Sequence, residues 1–336
     1  MAGEAETRTT DKASGYIDLD GCFQWLHRKL CHGPVKNSLT KLNRLSFDLD
    51  LLERVPFLSG RNRADWRVEP IGSVTNQTFR ATAGADSYVV RIAGPTTQYL
   101  DRDVETHNAA IAAELGLAPP ILFLDERLLV TRFVTGARPL TAADLNDPAM
   151  LQKVAALLSR LQRSKRPFRG ERHPFGEIDR YLGQYAHPRA MTLRQAAQPI
   201  EAALARSPRA LVPAHVDASM ANFLLGADGR LWLVDWEFSS MADPAWDPAS
   251  VLMHRPVDDD EPARRFVATI FGNASEQTLA RIGLFKAAIA LVAGSWCAME
   301  AAARGEAALM QTAESYLDAC AVFLADSRMT HWLKAV

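Results

Sequence analysis

With 336 residues, 48% of them hydrophobic and 23% charged, the chain has the composition of a globular protein with room for two lobes of ordinary size. Its 38 basic and 39 acidic side chains leave a formal charge of −1, which argues against nucleic acid or an anionic membrane as a partner. The longest uncharged apolar run, residues 287–299, is too short to span a bilayer, and the start MAGEAETRTTDK has no apolar signal-peptide core, so a cytoplasmic protein without membrane insertion is expected.

Residues 1–45 read as a partly disordered extension: polar to about Ser14, then one or two short helices broken at Gly33-Pro34. Whether it packs on the body or mediates a homodimer is left open. Cys22, His27, Cys31 and His32 cluster there, but their spacing fits no common zinc finger, and all four cysteines (with Cys297 and Cys320) read as idle or buried thiols. A short helix is expected from Ser46 to Leu52, stopped by Pro56 and the Ser59-Gly60 turn.

Alternation predicts strands at residues 67–71, 77–81 and 87–92. A helix from Asp103 to Leu115 ends at Gly116, a fitting C-terminal glycine, and strands at 121–124 and 128–133 complete a small α+β unit. From Thr141 the chain is mostly helical. A core-facing stripe at Ala155, Leu157, Leu158 and Leu161 follows an Asp147-Pro148 helix start, with further helices at 178–185 and 199–205. Near the C-terminus, Ile282, Phe285, Ile289, Val292, Trp296 and Met299 mark a second stripe, and a helix over 310–323 closes the fold.

Between these helical regions lies the most informative stretch, LVPAHVDASMANFLLGADGRLWLVDWEFSSMADPAWD, residues 211–247. Two apolar runs, 223–225 and 231–234, flank Gly226-Ala227-Asp228-Gly229, a strong hairpin signal. The hairpin brings Asn222 and Asp235 to one end, with Asp217 on the loop before it. Two carboxylates and an amide oxygen are the hard ligands and base that Mg²⁺ and a phosphoryl acceptor need.

The His215-x-Asp217-x-x-x-x-Asn222…Asp235 arrangement resembles the catalytic and metal loops of protein-kinase-like phosphotransferases. That resemblance implies a two-lobed α+β fold, with a β-rich N-lobe at 46–135 and a larger helical C-lobe at 136–336. In such a lobe the turn Gly72–Asn76 covers the ATP phosphates, through backbone amides and the side chains of Ser73, Thr75 and Asn76. Arg91 is the third-strand cation, Glu105 its helix partner, and Phe133 to Ala137, including Thr135, the hinge that meets adenine.

More narrowly, the chain resembles the choline/ethanolamine kinase branch of the aminoglycoside-phosphotransferase superfamily. The residues carrying this are Gly72–Asn76, Tyr88–Gly94, Asp101-Arg102 with Glu105, Gly116–Pro119, Thr131–Phe133 with Gly136, His215–Asn222, Val234–Phe238 and Asp243–Asp247. The resemblance implies Mg²⁺-dependent transfer of the ATP γ-phosphoryl group to a small amino alcohol. Asp217 would orient and deprotonate the hydroxyl, His215 brace the loop, Asn222 and Asp235 hold Mg²⁺, and Asp247 anchor the loop. Trp236, Glu237, His254 and Trp296 fall on the acceptor side, with Trp296 open between an ammonium cage and plain core. The sequence departs from the family pattern at Val216, where asparagine or glycine is usual, at Gln162, Pro248 and Ala293, and at His254, where an acid is usual. Alternative acceptors are an aminoglycoside, a sugar or another amino alcohol; a pseudokinase-like binding protein is the reading from another class.

Overall fold

The structure, a computed structural model, describes residues 47–71, 76–93, 100–125, 127–253, 255 and 260–336. The expectations for the N-terminal extension with its two cysteines, for Ser73 and Thr75, and for His254 lie outside those residues.

A short helix, α1 (Asp50–Glu53), precedes β1 (Trp66–Pro70), β2 (Gln77–Ala83) and β3 (Asp86–Ile92). Helix α2 (Arg102–Glu114), β4 (Ile121–Leu124) and β5 (Leu128–Arg132) follow. The five strands form one antiparallel sheet in the order β1-β2-β3-β5-β4. Alternation places Phe79, Ala81, Tyr88, Val90, Leu128 and Val130 on one face, where they bury against Leu52, Val55 and Leu58.

Beyond this sheet lie a two-residue strand β6 (Arg138–Pro139), α3 (Ala142–Asn146), α4 (Pro148–Gln162), α5 (Pro174–Gln184), α6 (Pro188–Ala196) and α7 (Gln198–Arg206). Strands β7 (Val212–Ala214), β8 (Phe223–Leu225), β9 (Leu231–Leu233) and β10 (Ser240–Ala242) surround the central loops, and β6, β8 and β9 pair as a small sheet. The chain ends in α8 (Trp246–Val251), α9 (Glu261–Phe271), α10 (Glu276–Arg304), α11 (Ala307–Leu324) and α12 (Met329–Ala335). The small antiparallel lobe and the larger helical one are the kinase-like α+β architecture expected.

Several boundaries follow from local chemistry. Asp147 caps α4 through the Ala149 amide with Pro148 at its first position, and Thr141 and Asp144 form a capping box on α3. Gly116 closes α2 with φ +65°, which only glycine adopts without strain. Helix α10 is long and apolar enough to cross a membrane, yet 78% of its most apolar window is buried inside the protein. It is a core helix touched on several faces: a Cβ at Gly283 would meet the Trp332 ring at 2.8 Å, and one at Gly294 would meet Leu317 at 2.7 Å.

Helix α2 is the element that joins the lobes. Its buried residues Ala109, Ile111 and Ala112 share a core with Leu158, Phe223, Trp236 and Trp246 of the large lobe, and of the sheet Ile121 packs against that core. Asn108, fully buried, donates to the carbonyls of Arg169 and Ser239 (3.1 and 2.9 Å) and accepts from the Arg169 amide (2.8 Å). One side chain thus staples α2 to two loops of the large lobe. Replacing Asn108 by Ala removes these bonds and leaves buried backbone groups unpaired, which should cost about 3 kcal/mol. Urea denaturation checks this; an unchanged midpoint would mean that apolar contacts alone hold α2.

Candidate active site

The loop after β7 is held in an unusual shape. Val216 has φ +72°, a left-handed conformation that a β-branched side chain adopts at a cost of roughly 1–3 kcal/mol. This explains why asparagine or glycine is usual there. Two contacts hold the strained peptide. The buried Asp247 carboxylate, at the start of α8, accepts from the His215 and Val216 amides, each at 2.8 Å, and the Trp246 indole donates to the Val216 carbonyl at 2.8 Å. Burial pushes Asp247 up to about 6, and the two amides pull it back toward ionisation. The loop carrying Asp243 and Asp247 is itself tied to α10 by Arg281, whose Nε lies 3.0 Å from both Asp243 oxygens, and to α4 by Gln162, which donates to the Pro244 carbonyl.

His215 is 0% exposed. Its Nε2 lies 2.9 Å from the Val234 carbonyl, which can only accept, so Nε2 carries the proton. The ring packs edge-on against Trp236 (4.7 Å, 65°). Burial lowers its pKa to about 4, more than offsetting the Val234 hydrogen bond. It is therefore a neutral strut between the two loops, out of reach of a substrate.

Asp217 and Asn222 come together as the spacing predicts. Asn222 Nδ2 donates to both the backbone oxygen (2.9 Å) and Oδ2 (2.8 Å) of Asp217, which leaves Asn222 Oδ1 for a cation. Asp235 ends the hairpin with φ +66°, turning its carboxylate back toward the same corner. Burial first and the Asp235 charge second push Asp217 up to about 8. Asp217 and Asp235 thus share one electrostatic neighbourhood.

Arg91 on β3 faces Asp235. Its guanidinium pairs with Glu105 of α2 and, at 2.8 Å, with Asp235. Glu105 also receives Arg102, whose other nitrogen donates to Asn76 Oδ1 at 2.9 Å. Asn76 Nδ2 donates to Glu237 at 2.7 Å. Sequence reasoning gave Asn76 to the phosphates and Glu237 to the acceptor; the structure ties their side chains to each other and to Arg102. Arg102 entered the sequence reading only as part of a motif, though its position three residues before Glu105 was a legible helix pairing.

Among these residues Glu105, Asp235 and Glu237 outnumber Arg91 and Arg102, and Asp217 adds a further carboxylate. The donor chemistry fits Mg²⁺, which takes oxygen ligands and is usually completed by substrate phosphates rather than enclosed by protein. Among the described residues no three His, Cys, Asp or Glu side chains form a metal cage of their own.

At the junction of the lobes the Phe133 amide is used by the Ser87 carbonyl, and Arg80 lies over the Phe133 ring at 4.2 Å. Thr135 is exposed. On the far side, Trp236 is core, its indole donating to the Leu233 carbonyl. Trp296 is half-buried and meets the Phe238 ring edge-on at 6.4 Å. Burial first, and then the charges of Asp217 and Glu300, push the Cys297 thiol up, so this part of α10 lies within electrostatic range of Asp217. Glu300, buried and paired with Arg304 at 2.5 Å, is an acid that the sequence reading missed there. Cys297 and Cys320 are buried free thiols, as expected.

A strand cation paired with a helix glutamate and with the aspartate that follows the hairpin, beside the Asp217–Asn222 loop, is the arrangement of a kinase-like phosphotransferase. The chain belongs to the phosphotransferase enzyme family, whose model matches residues 67–285. It is similar to a choline/ethanolamine kinase family protein from Mesorhizobium loti, at 25% identity and a TM-score of 0.73, over 88% of this chain and 98% of that one. It is 28% identical over 191 residues to protein LicA of Haemophilus influenzae, a match spanning 54% of this chain and 56% of that relative. A structure of LicA in complex with AMP aligns with a TM-score of 0.67 and 24% identity, over 82% of this chain and 98% of that one.

The neutral state of His215 is directly checkable. In a histidine NMR titration its resonances should stay flat between about pH 5 and 8, because burial excludes the charged form. A midpoint near the ordinary value of about 6.5 would contradict the buried strut.

Proposed function

We propose that the protein transfers the γ-phosphoryl group of ATP, with Mg²⁺, to the hydroxyl of a small amino alcohol, choline or ethanolamine first. The observation that carries this reading is the convergence of Asp217, Asn222 and Asp235 opposite the Arg91–Glu105 pair.

Phosphoryl transfer passes through a loose transition state, so positioning and charge stabilisation matter more than a strong base. Asp217 orients the acceptor hydroxyl and takes its proton. Asn222 Oδ1 and the Asp235 carboxylate would hold Mg²⁺, which would neutralise charge on the phosphates and favour ionised carboxylates around it. Arg91 turns from Asp235 toward the phosphates while Glu105 keeps its guanidinium in place. The exposed Thr135 backbone, whose N–H and C=O make no hydrogen bond among the described residues, meets the adenine edge. The Trp296–Phe238 pair beside the catalytic loop offers aromatic faces to an ammonium group, with Glu300 one helical turn along from Trp296.

The experiment is a panel of hydroxyl acceptors with ATP and Mg²⁺. Turnover should be greatest with choline or ethanolamine and stop on chelation of the metal. Asp217→Ala and Asp235→Ala should each lower turnover by about a hundredfold or more. Turnover of an aminoglycoside or sugar alone would replace the acceptor, and unchanged rates in both variants would remove the assignment of the site.

A further inference from the structure

The pairing of Arg91 with Glu105 joins the sheet to the large lobe at one point. A second connection lies beside it. Asn76 is the residue through which the chain enters β2, and it is 7% exposed. Both ends of its side-chain amide are engaged by residues anchored outside the sheet, Nδ2 by Glu237 at 2.7 Å and Oδ1 by Arg102 at 2.9 Å. Glu237 is two residues past Asp235 on the same 3-10 turn, and Arg102 lies on the lobe-joining helix α2. Adjacent to Asn76, β2 pairs with β3 in the register Gln77↔Ile92 and Thr78↔Arg91. Whatever fixes Asn76 therefore fixes the end of the sheet that carries Arg91.

The contacts close a circuit. Asp235 binds Arg91, Arg91 binds Glu105, Glu105 binds Arg102, Arg102 binds Asn76, and Asn76 binds Glu237, back on the turn where it began. A single ion pair is a hinge about which the sheet can rotate. Two attachments on different residues of the same sheet end define a distance and an angle.

Resting on the kinase reading above, we infer that Asn76, Arg102 and Glu237 are positioning residues for the nucleotide: a second clamp that sets the height of the Arg91 end of the sheet over Asp235. Arg91 must exchange Asp235 for phosphate when nucleotide binds, so the first attachment loosens at that moment. The Asn76–Glu237–Arg102 contacts do not involve Asp235 and keep the sheet in place through the exchange. The clamp acts through Arg91 on nucleotide affinity and leaves the acceptor side untouched.

The polarity of the contact supplies the test. Asn76→Asp sets a carboxylate against Glu237 at hydrogen-bond distance, whereas Asn76→Asp combined with Glu237→Gln restores a donor–acceptor pair and keeps one negative charge beside Arg102. In the full-length protein, Asn76→Asp should weaken MgATP binding, measured by calorimetry, by about tenfold or more, the scale of a lost charge-assisted hydrogen bond. The double variant should return to within about threefold of the parent, with the acceptor KM unchanged throughout. Asn76→Asp binding MgATP like the parent, or a double variant as weak as the single one, would overturn the clamp. Should Asn76→Asp not fold, Asn76→Ala carries the same direction without adding charge, and unchanged affinity there is equally decisive. A parent protein that binds no ATP would instead strike the kinase reading itself, and that is seen before any variant is compared.

Discussion

The site depends on one guanidinium between two carboxylates. Arg91 belongs to the sheet, Glu105 to a helix rooted in the large lobe, and Asp235 to the turn after the β8–β9 hairpin. A largely buried cation requires such partners, because desolvating it without them would cost several kcal/mol. Satisfying it draws three elements that are distant in sequence to one place. Helix α2 is what makes the arrangement firm: its apolar face lies in the large core and Asn108 fixes it to two loops there, so Glu105 is a stationary post rather than a swinging one. The sheet, with its own core, docks onto that post.

Below the post, strain and support are matched in a similar way. The peptide around Val216 is held left-handed by a fully buried aspartate and an indole, and a neutral histidine braces the loop against the strand that leads to Asp235. Each of the supporting groups lies in the interior and none reaches a substrate. They keep Asp217 at a fixed position, and in the proposed phosphoryl transfer, with its loose transition state, position is most of what a protein can supply. Asp243, held by Arg281 from α10, extends the same support into the longest helix of the fold.

Much of this was legible in the sequence, for physical reasons that differ by element. The Gly226–Gly229 turn, the alternating strands and the capped start at Asp147-Pro148 are local signals, and the strands and helices expected from them lie within a few residues of where the pattern put them. The HxDxxxxN spacing specified a loop whose members meet because they are five residues apart. What escaped were contacts closed over long separations: Asn76 with Glu237 across 161 residues, and Asn108 with Ser239 across 131. Neither has a periodicity to betray it. Asn76 read as a phosphate ligand because it ends a polar turn, and only its buried partners show the side chain facing inward. Helix α10 was read as one apolar stripe; its other faces are small residues, Gly283, Ala287, Ala290 and Gly294, that pack closely without a strong hydrophobic signal. Helix α6, with weak periodicity, passed as unassigned helical chain, and so did α9 although Ala263, Phe266, Val267 and Ile270 recur at helical spacing.

The central claim is that the turn after the β8–β9 hairpin and the loop that precedes it present a cation site to a nucleotide lying under Arg91. Anomalous diffraction from crystals grown with ADP and Mn²⁺ in place of Mg²⁺ tests it most directly. The account predicts the manganese signal between Asp235 and Asn222, with the diphosphate on the Arg91 side of it. Manganese held by other residues, or a nucleotide seated away from the cleft between the lobes, would contradict it.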